Sequence, residues 1–280
     1  MRKNTHIGQQ LSFFDIVLEP PKEAPPIIEQ LRVETKSEQA PPPQNNICTY
    51  RIPTIEEIMK DAQNISNRYD TNKLLTDLFE CGALAISNLA DLPQKDAREE
   101  RYKEIITQYN EQERYRLADT FGKIFALLSS VVYDNGTFDD YLGEIFMRSN
   151  MANGKKGQVF TPYHVAEMMA RMTISESVKD EVKNDKILTI GDPCCGSGAM
   201  SIGALDVLKS YGVNYTRNCF IECSDVDLRC VHMTYLQLSL AGVPAIIKHQ
   251  NTLTQDTWSI WKTPAFIFQY TRFHKYENLN

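Results

Sequence analysis

Apolar positions change their period along this chain, and each change marks a different kind of structure. Up to residue 52 they follow no period at all, and prolines take their place, eight of the 13 falling within the first 53 residues in runs such as Glu19-Pro-Pro and Ala40-Pro-Pro-Pro. Such a stretch reads as an extended, disordered tail. One island interrupts it, Gln9-Gln-Leu-Ser-Phe-Phe-Asp-Ile-Val17, with five apolar side chains and nothing nearby in sequence to bury them. From Thr54 the spacing becomes helical. Thr54-Ile-Glu-Glu57 spells a capping box, in which hydroxyl and carboxylate satisfy each other's orphan backbone N–H groups. Lys95-Asp-Ala-Arg-Glu-Glu-Arg-Tyr102 supplies a charged outer face, and Leu117, Phe121, Ile124 and Leu128 form an apolar stripe at helical period. Asn135-Gly136 breaks the run, and Asp139-Asp-Tyr-Leu-Gly-Glu-Ile-Phe146 resumes it as another helix.

Beyond residue 150 short apolar runs alternate with helical patterns. Thr161 is predicted to cap, and Pro162 to open, a helix reaching Met172. Ile187-Leu-Thr-Ile190 reads as a strand, Ala199 to Tyr211 as a helix and Asn218 to Ser224 as a second, buried strand. Leu228, Val231, Tyr235 and Leu238 line one face of a helix closed by Gly242, and Ala245 to His249 is a third strand. Strands separated by helices are parallel, joined by crossovers. The expected architecture is α/β, a doubly wound, Rossmann-like parallel sheet. Three regions follow: a proline-rich tail over 1–52, a small helical domain over 53–150, and the sheet domain over 151–280, incomplete at its carboxyl end.

The chemistry centres on Ile187-Leu-Thr-Ile-Gly-Asp-Pro-Cys-Cys-Gly-Ser-Gly-Ala-Met200. A strand that feeds straight into a helix must turn with positive φ, and a ligand must approach backbone where a Cβ would collide, so Gly196 and Gly198 stand at those positions. The helix start offers unpaired N–H groups, and Asp192 puts a negative charge at the same crevice, which suits a ligand with a cationic amine. A Gly-x-Gly turn also serves as a mere tight connection. The dinucleotide pattern is not met, because Ser201 stands at its third glycine, and no Gly-Lys-Ser/Thr phosphate loop is present.

Asp192-Pro-Cys-Cys-Gly-Ser-Gly198 resembles the cofactor motif of adenine-specific DNA methyltransferases, and within them the modification subunits of type I restriction systems. Gly157-Gln-Val-Phe-Thr-Pro162, about 30 residues earlier and in the family's order, matches the segment with which the family holds the methionine end of S-adenosylmethionine. Asp139-Asp-Tyr-Leu-Gly-Glu-Ile-Phe146 is similar to the helix that leads into the family's catalytic domain. The likeness covers roughly residues 138 to 254. It implies a class I S-adenosylmethionine-dependent fold with Gln158, Phe160, Thr161, Pro162, Asp192, Pro193, Gly196, Gly198, Asp225 and Asn251 at the cofactor. An acid at the end of the second strand takes the ribose hydroxyls; Asp225 is at that place, although Asp227 two residues on is a second candidate or a helix cap. Asn251 stands where the family usually has an acid beside the adenine amino group. Gln10-Leu-Ser-Phe-Phe14 resembles the peptide by which bacterial proteins attach to the replicative sliding clamp, with Gln10, Leu11, Phe13 and Phe14 as its contacts; the alternative is a strand or helix that folds back onto the body.

Composition limits these readings. With 280 residues, 42% of them hydrophobic, the chain can fill a sizeable core. No apolar run approaches a membrane span, and Met1-Arg-Lys-Asn-Thr-His-Ile-Gly8 lacks the apolar core of a secretory signal, so a cytoplasmic location is expected; the resemblance to restriction-system subunits implies a bacterial protein. Seven cysteines without paired Cys-x-x-Cys spacing read as reduced, buried thiols, with no metal site. A net charge of -6 implies weak DNA affinity for the chain by itself, or a shared one. The family's catalytic loop, Asn/Asp-Pro-Pro-Tyr/Phe, does not occur in the sequence. That loop holds the adenine amino group and stacks on the flipped base. By position its nearest counterpart is Lys262-Thr-Pro-Ala-Phe266, making Pro264 and Phe266 the weak catalytic candidates. Two functions stay open: an adenine-N6 DNA methyltransferase with an unusual catalytic segment, or a cofactor-binding pseudoenzyme or partner subunit of a DNA modification complex.

Overall fold

The computed structural model describes residues 51–133, 136–152, 159–183 and 186–276, so Gln10, Leu11, Phe13, Phe14 and Gln158 lie outside the described residues. The first described layer is helical: α1 (Ile55–Gln63), α2 (Thr71–Ala90), α3 (Lys95–Ile106), α4 (Glu111–Tyr133) and α5 (Tyr141–Ala152). The Thr54–Glu57 capping box forms as spelled, Glu57 N–H donating to the Thr54 hydroxyl and Thr54 N–H to the Glu57 carboxylate. Leu117, Phe121, Ile124 and Leu128 are all buried on α4. The helix at the centre of the layer is α2, enclosed on most sides, so its polar residues must be paired inside. Tyr109 donates to Asp77 at 2.6 Å, Arg101 to Glu80 at 2.7 Å, and Ser149 to Asn72 at 2.7 Å.

Helices α6 (Tyr163–Thr173) and α7 (Val178–Val182) lead to β1 (Leu188–Asp192). The cap of α6 differs from expectation. Pro162 itself is the N-cap, with ψ 137°, and no side chain caps the helix; its extended backbone leaves Thr161 one residue too early. After β1 come α8 (Ala199–Ser210), α9 (Tyr215–Asn218), β2 (Cys219–Asp225), α10 (Leu228–Leu240) and β3 (Ala245–Asn251). The strand order is β1-β2-β3-β4, with the first three parallel and in the register Ile190↔Ile221↔Ala245. The three expected strands are parallel, and a fourth that the sequence did not reveal, β4 (Asp256–Lys262), adds an antiparallel edge beside β3. Only four residues, 252–255, join β3 to β4, too few for a crossover and enough for a hairpin.

Alternate residues of the strands point to two unlike faces. Cys219, Ile221, Cys223, Ala245 and Ile247 join the main core with α8 and α10, and that core runs without a break from Ile58 in α1 to Trp261 in β4. Phe220 and Ile246 point the other way, under Phe266 of α11 (Pro264–Phe268) and Phe273 of α12 (Tyr270–Phe273). Cys81, Cys195, Cys219, Cys223 and Cys230 are buried free thiols, whereas Cys194, in the turn after β1, is exposed against expectation. No described helix is long and apolar enough to cross a membrane.

Two buried charges tie the helical layer to the sheet. Arg98 donates to Asp91 at 2.9 Å, to the Ser87 hydroxyl and to the Ile260 carbonyl of β4 at 2.7 Å, and its guanidinium lies 4.1 Å from the Trp261 ring centre. Asp140, just before α5, accepts from the Ser197 hydroxyl, from Gln237 Nε2 of α10 at 2.8 Å and from Gly143 N–H at 3.1 Å. Burial raises its pKa, opposed by the Ser197 and Gln237 hydrogen bonds. We predict that Asp140→Ala, which strands three donors in the interior, destabilises the fold by about 3 kcal/mol or more, at ~1–3 kcal/mol per unmet buried group. Asp140→Asn keeps the Oδ1 acceptor and turns its amide toward Ser197, so thermal unfolding should show a far smaller loss. Because the folded pKa lies above the unfolded one, ionisation of Asp140 costs stability as pH rises through the folded value; the Asn variant should lack that step.

Candidate functional site

The crevice lies at the carboxyl ends of β1, β2 and β3, where the turn 193–198 opens α8. Gly196 has φ 55° and Gly198 φ 100°, the left-handed region reserved in practice for glycine. Neither site has room for a side chain: a Cβ on Gly196 would sit 3.0 Å from the Phe160 ring, and one on Gly198 3.1 Å from the Thr234 hydroxyl. The fold therefore brings Phe160 against the glycine turn, across a loop and a helix. Phe160 also packs on Phe146 of α5, ring centres 5.8 Å apart.

Side chains from three directions fasten the turn. Gly196 N–H donates to Asp225 Oδ2 at 2.9 Å, Thr234 donates to the Gly196 carbonyl at 3.0 Å, and Gln237 donates to the Ser197 carbonyl at 2.8 Å. The Pro193 carbonyl accepts from the hydroxyls of Ser224, at 3.1 Å, and Thr252. Thr234, Gln237 and Asp140 carry no mark in a single sequence that would single them out for this task. Asp140 alone stood in a string already noted, Asp139 to Phe146.

The acids divide the work. Asp225, at the end of β2 and mostly buried, also accepts from Asp227 N–H at 2.8 Å, so both of its oxygens already hold backbone. Asp227 caps α10, accepting from Arg229 N–H at 2.9 Å, the second of the two roles open to it. Asp192 is different. Its Oδ1 takes the Cys194 N–H at 3.3 Å, while its Oδ2 is buried with no hydrogen-bond partner among the described residues. Burial raises the Asp192 pKa and the Asp225 charge adds to this, against the Cys194 hydrogen bond. An unmet buried carboxylate oxygen calls for a donor, and a cation is the best one.

At the far end of the crevice Asn251 turns its Oδ1 to the N–H groups of Leu253, at 3.0 Å, and Thr254, at 3.3 Å. Its carbonyl oxygen thus builds the turn, leaving its amide as the group that can address a ligand. Val226 and Leu253, which follow the ends of neighbouring strands, are 59% and 94% exposed. Two large apolar side chains in that setting suit a flat apolar ring, and sequence reading passed over both; their positions, one residue after Asp225 and two after Asn251, were the available signal. A cavity of about 450 Å³ opens beside the start of α6, lined by Asp139, Glu144, Phe160, Thr161 and Tyr163 among others.

Pro264 and Phe266 are not part of this crevice. Phe266 is fully buried under Phe220, and Thr263 N–H bonds the carbonyl of Ala245 at the start of β3, the opposite end of the sheet. The hairpin reverses the chain, so the segment after β4 returns to the strands' amino ends.

Residues 137–275 match the sequence model of the N-6 DNA methylase family. Among solved structures, the methyltransferase subunit of the type I restriction-modification system of Streptococcus thermophilus is similar over 75% of this chain, at 18% identity and a TM-score of 0.38. The chain spans 42% of that subunit's length. No curated protein matches. The matched stretch holds the glycine turn, its fastening residues and the three acids of the crevice, and it is in this stretch that the chain is similar to the N-6 DNA methylases.

Proposed function

We propose that the crevice binds S-adenosylmethionine and that the chain serves methylation of adenine N6 in DNA, contributing the cofactor site. The observation that carries this reading is the unmet Oδ2 of Asp192 beside the glycine turn. Bound there, the cofactor would present a methyl group on a sulfonium, ready for transfer to an amine. The protein's own part is to hold and orient it. Asp192 would take the cationic amine, Phe160 and Thr161 the methionine end, and Gly196 and Gly198 the close approach of backbone. Asp225 would accept the ribose hydroxyls with lone pairs left over from Gly196 and Asp227, since a carboxylate offers about four acceptor sites. Val226 and Leu253 would cover the two faces of the adenine ring, and the Asn251 amide would donate to a ring nitrogen rather than accept from the amino group.

A partner role for the chain, rather than turnover by the chain alone, is favoured by a second observation: the amide-proline-aromatic loop is missing from the sequence, and its positional counterpart, Phe266, is a core residue at the other end of the sheet. Without that loop nothing evident in the chain holds an extruded adenine in line with the methyl. The DNA and a further polypeptide are the partners this reading requires.

Calorimetry with S-adenosylhomocysteine tests the cofactor site. The unaltered chain should bind, and Asp192→Asn should weaken binding by about tenfold, the ~1.5 kcal/mol of one charge-assisted hydrogen bond, with little change in thermal midpoint. Asp225→Ala should cost both affinity and stability, because Gly196 and Asp227 lose their acceptor. Binding should also weaken as pH falls toward the raised pKa of Asp192, where the carboxylate that meets the amine becomes neutral. If the chain gives no heat with the cofactor product, the pocket reading is wrong. In a separate assay of labelled methyl incorporation into mixed-sequence DNA, the chain alone should transfer little or nothing; robust turnover would overturn the partner role.

A further inference from the structure

Between Asp225 and the cap of α10 lies a single residue, Val226, and its carbonyl has an acceptor's need at the rim of the crevice. His249 Nε2 lies 3.1 Å from it. A carbonyl oxygen only accepts, so the imidazole must carry its proton on Nε2. His249 is opposite Asp225 in the β2–β3 register, on the same face of the sheet as Asp225 and Asn251.

The ring of His249 is itself held. The β3–β4 ladder has an irregularity here: His249 pairs with Ser259 and Gln250 with Thr257, so Trp258 is one residue too many on β4. A bulge re-aims the side chain of its extra residue. In this case the Trp258 ring comes to 4.6 Å from the His249 ring, centre to centre, at 53°. Trp258 is still 55% exposed, so apolar burial alone is a poor account of its place. At the other end of the hairpin Gln255 holds φ 63° and donates to the Thr252 carbonyl at 2.6 Å, which keeps the turn compact beside Asn251.

We propose that His249, backed by Trp258, is a positioning residue for the adenosine half of the cofactor: it fixes the Val226 carbonyl, and through it the direction of the Val226 side chain and of the Asp225 carboxylate. The role rests on the cofactor reading given above. It concerns the adenosine end alone, because the methionine end is bounded by Phe160, Thr161 and Asp192, on other elements. The Val226 carbonyl cannot swing outward without breaking its hydrogen bond to His249, and the indole packs against the imidazole that holds it.

The test is calorimetry on the full chain with two ligands, S-adenosylhomocysteine and 5′-methylthioadenosine, which lacks the amino-acid end. His249→Ala should weaken both by the same factor, about five- to tenfold, the scale of one neutral hydrogen bond. His249→Gln, whose side-chain amide reaches a similar distance and donates, should restore most of the affinity, and both variants should melt within a few degrees of the unaltered chain. Trp258→Leu should weaken both ligands by a smaller, equal factor. Equal affinity in His249→Ala and the unaltered chain would overturn the positioning role while leaving the cofactor site standing. A loss not restored by His249→Gln and accompanied by a large drop in melting temperature would assign His249 to stability and overturn it as well. Absence of binding by the unaltered chain would remove the cofactor reading and this role together.

Discussion

The carboxyl end of the sheet depends on one constraint: the backbone polar groups of a tight turn, Cys195 to Gly198, must all be met in a place largely closed to water. Cys195 N–H goes to the Ser224 carbonyl at 3.0 Å, Gly196 N–H to Asp225, the Gly196 carbonyl to Thr234 and the Ser197 carbonyl to Gln237, while the Ser197 hydroxyl donates to Asp140. Each unmet group would cost ~1–3 kcal/mol, so the shape of the turn is dictated by the elements around it and not by its own propensity. β2, α10 and the segment before α5 must all be in place at once. The helical layer is accordingly part of the site's construction, since Asp140 reaches the turn from the residue just before its last helix.

Much of this could be read from the chain itself, for identifiable reasons. The strands β1 to β3 and the helices between them follow from runs and stripes that local geometry enforces, and the glycines at 196 and 198 marked a tight strand-to-helix turn. What escaped reading depends on long-range pairing. Asp256–Lys262 alternates weakly, with its outer residues Trp258 and Ile260 exposed, and nothing local distinguishes a parallel partner from an antiparallel one. The short link 252–255 held the answer, because four residues allow only a hairpin. Placing that strand antiparallel moves Phe266 from the crevice to the base of the sheet. Gln237 and Thr234 were illegible for another reason: on a helix whose buried residues are mostly apolar, only the position of the turn 30 to 40 residues away explains a buried amide and hydroxyl.

The two faces of the sheet also differ in a manner written into the strands. Parallel strands covered on both sides tend to be apolar throughout. Here the second face begins apolar, with Phe220 and Ile246 under α11 and α12, and becomes polar toward the carboxyl ends, with Glu222, Lys248 and Gln250. Lys248 meets Glu222 at 2.6 Å and Gln250 donates to Gln255 at 2.9 Å. A cavity of about 310 Å³ opens over this polar half. The alternation in Cys219 to Asp225 thus records a sheet with a dry main face and a second face that dries only at its base.

β1 is the outermost strand of the described sheet, and its outer edge has colloidal consequences. An edge strand presents a ladder of free N–H and C=O groups to any passing chain. This one is five residues long, carries Gly191 next to its end and closes on the Asp192 carboxylate. Shortness, a glycine and a terminal charge all make poor templates for further strands. The protection is partly electrostatic, and it fades as carboxylates neutralise and the net charge of -6 shrinks toward the isoelectric point near 5.5. The features of β1 thus disfavour edge-to-edge pairing, and the charge that supports them is greatest well above the isoelectric point.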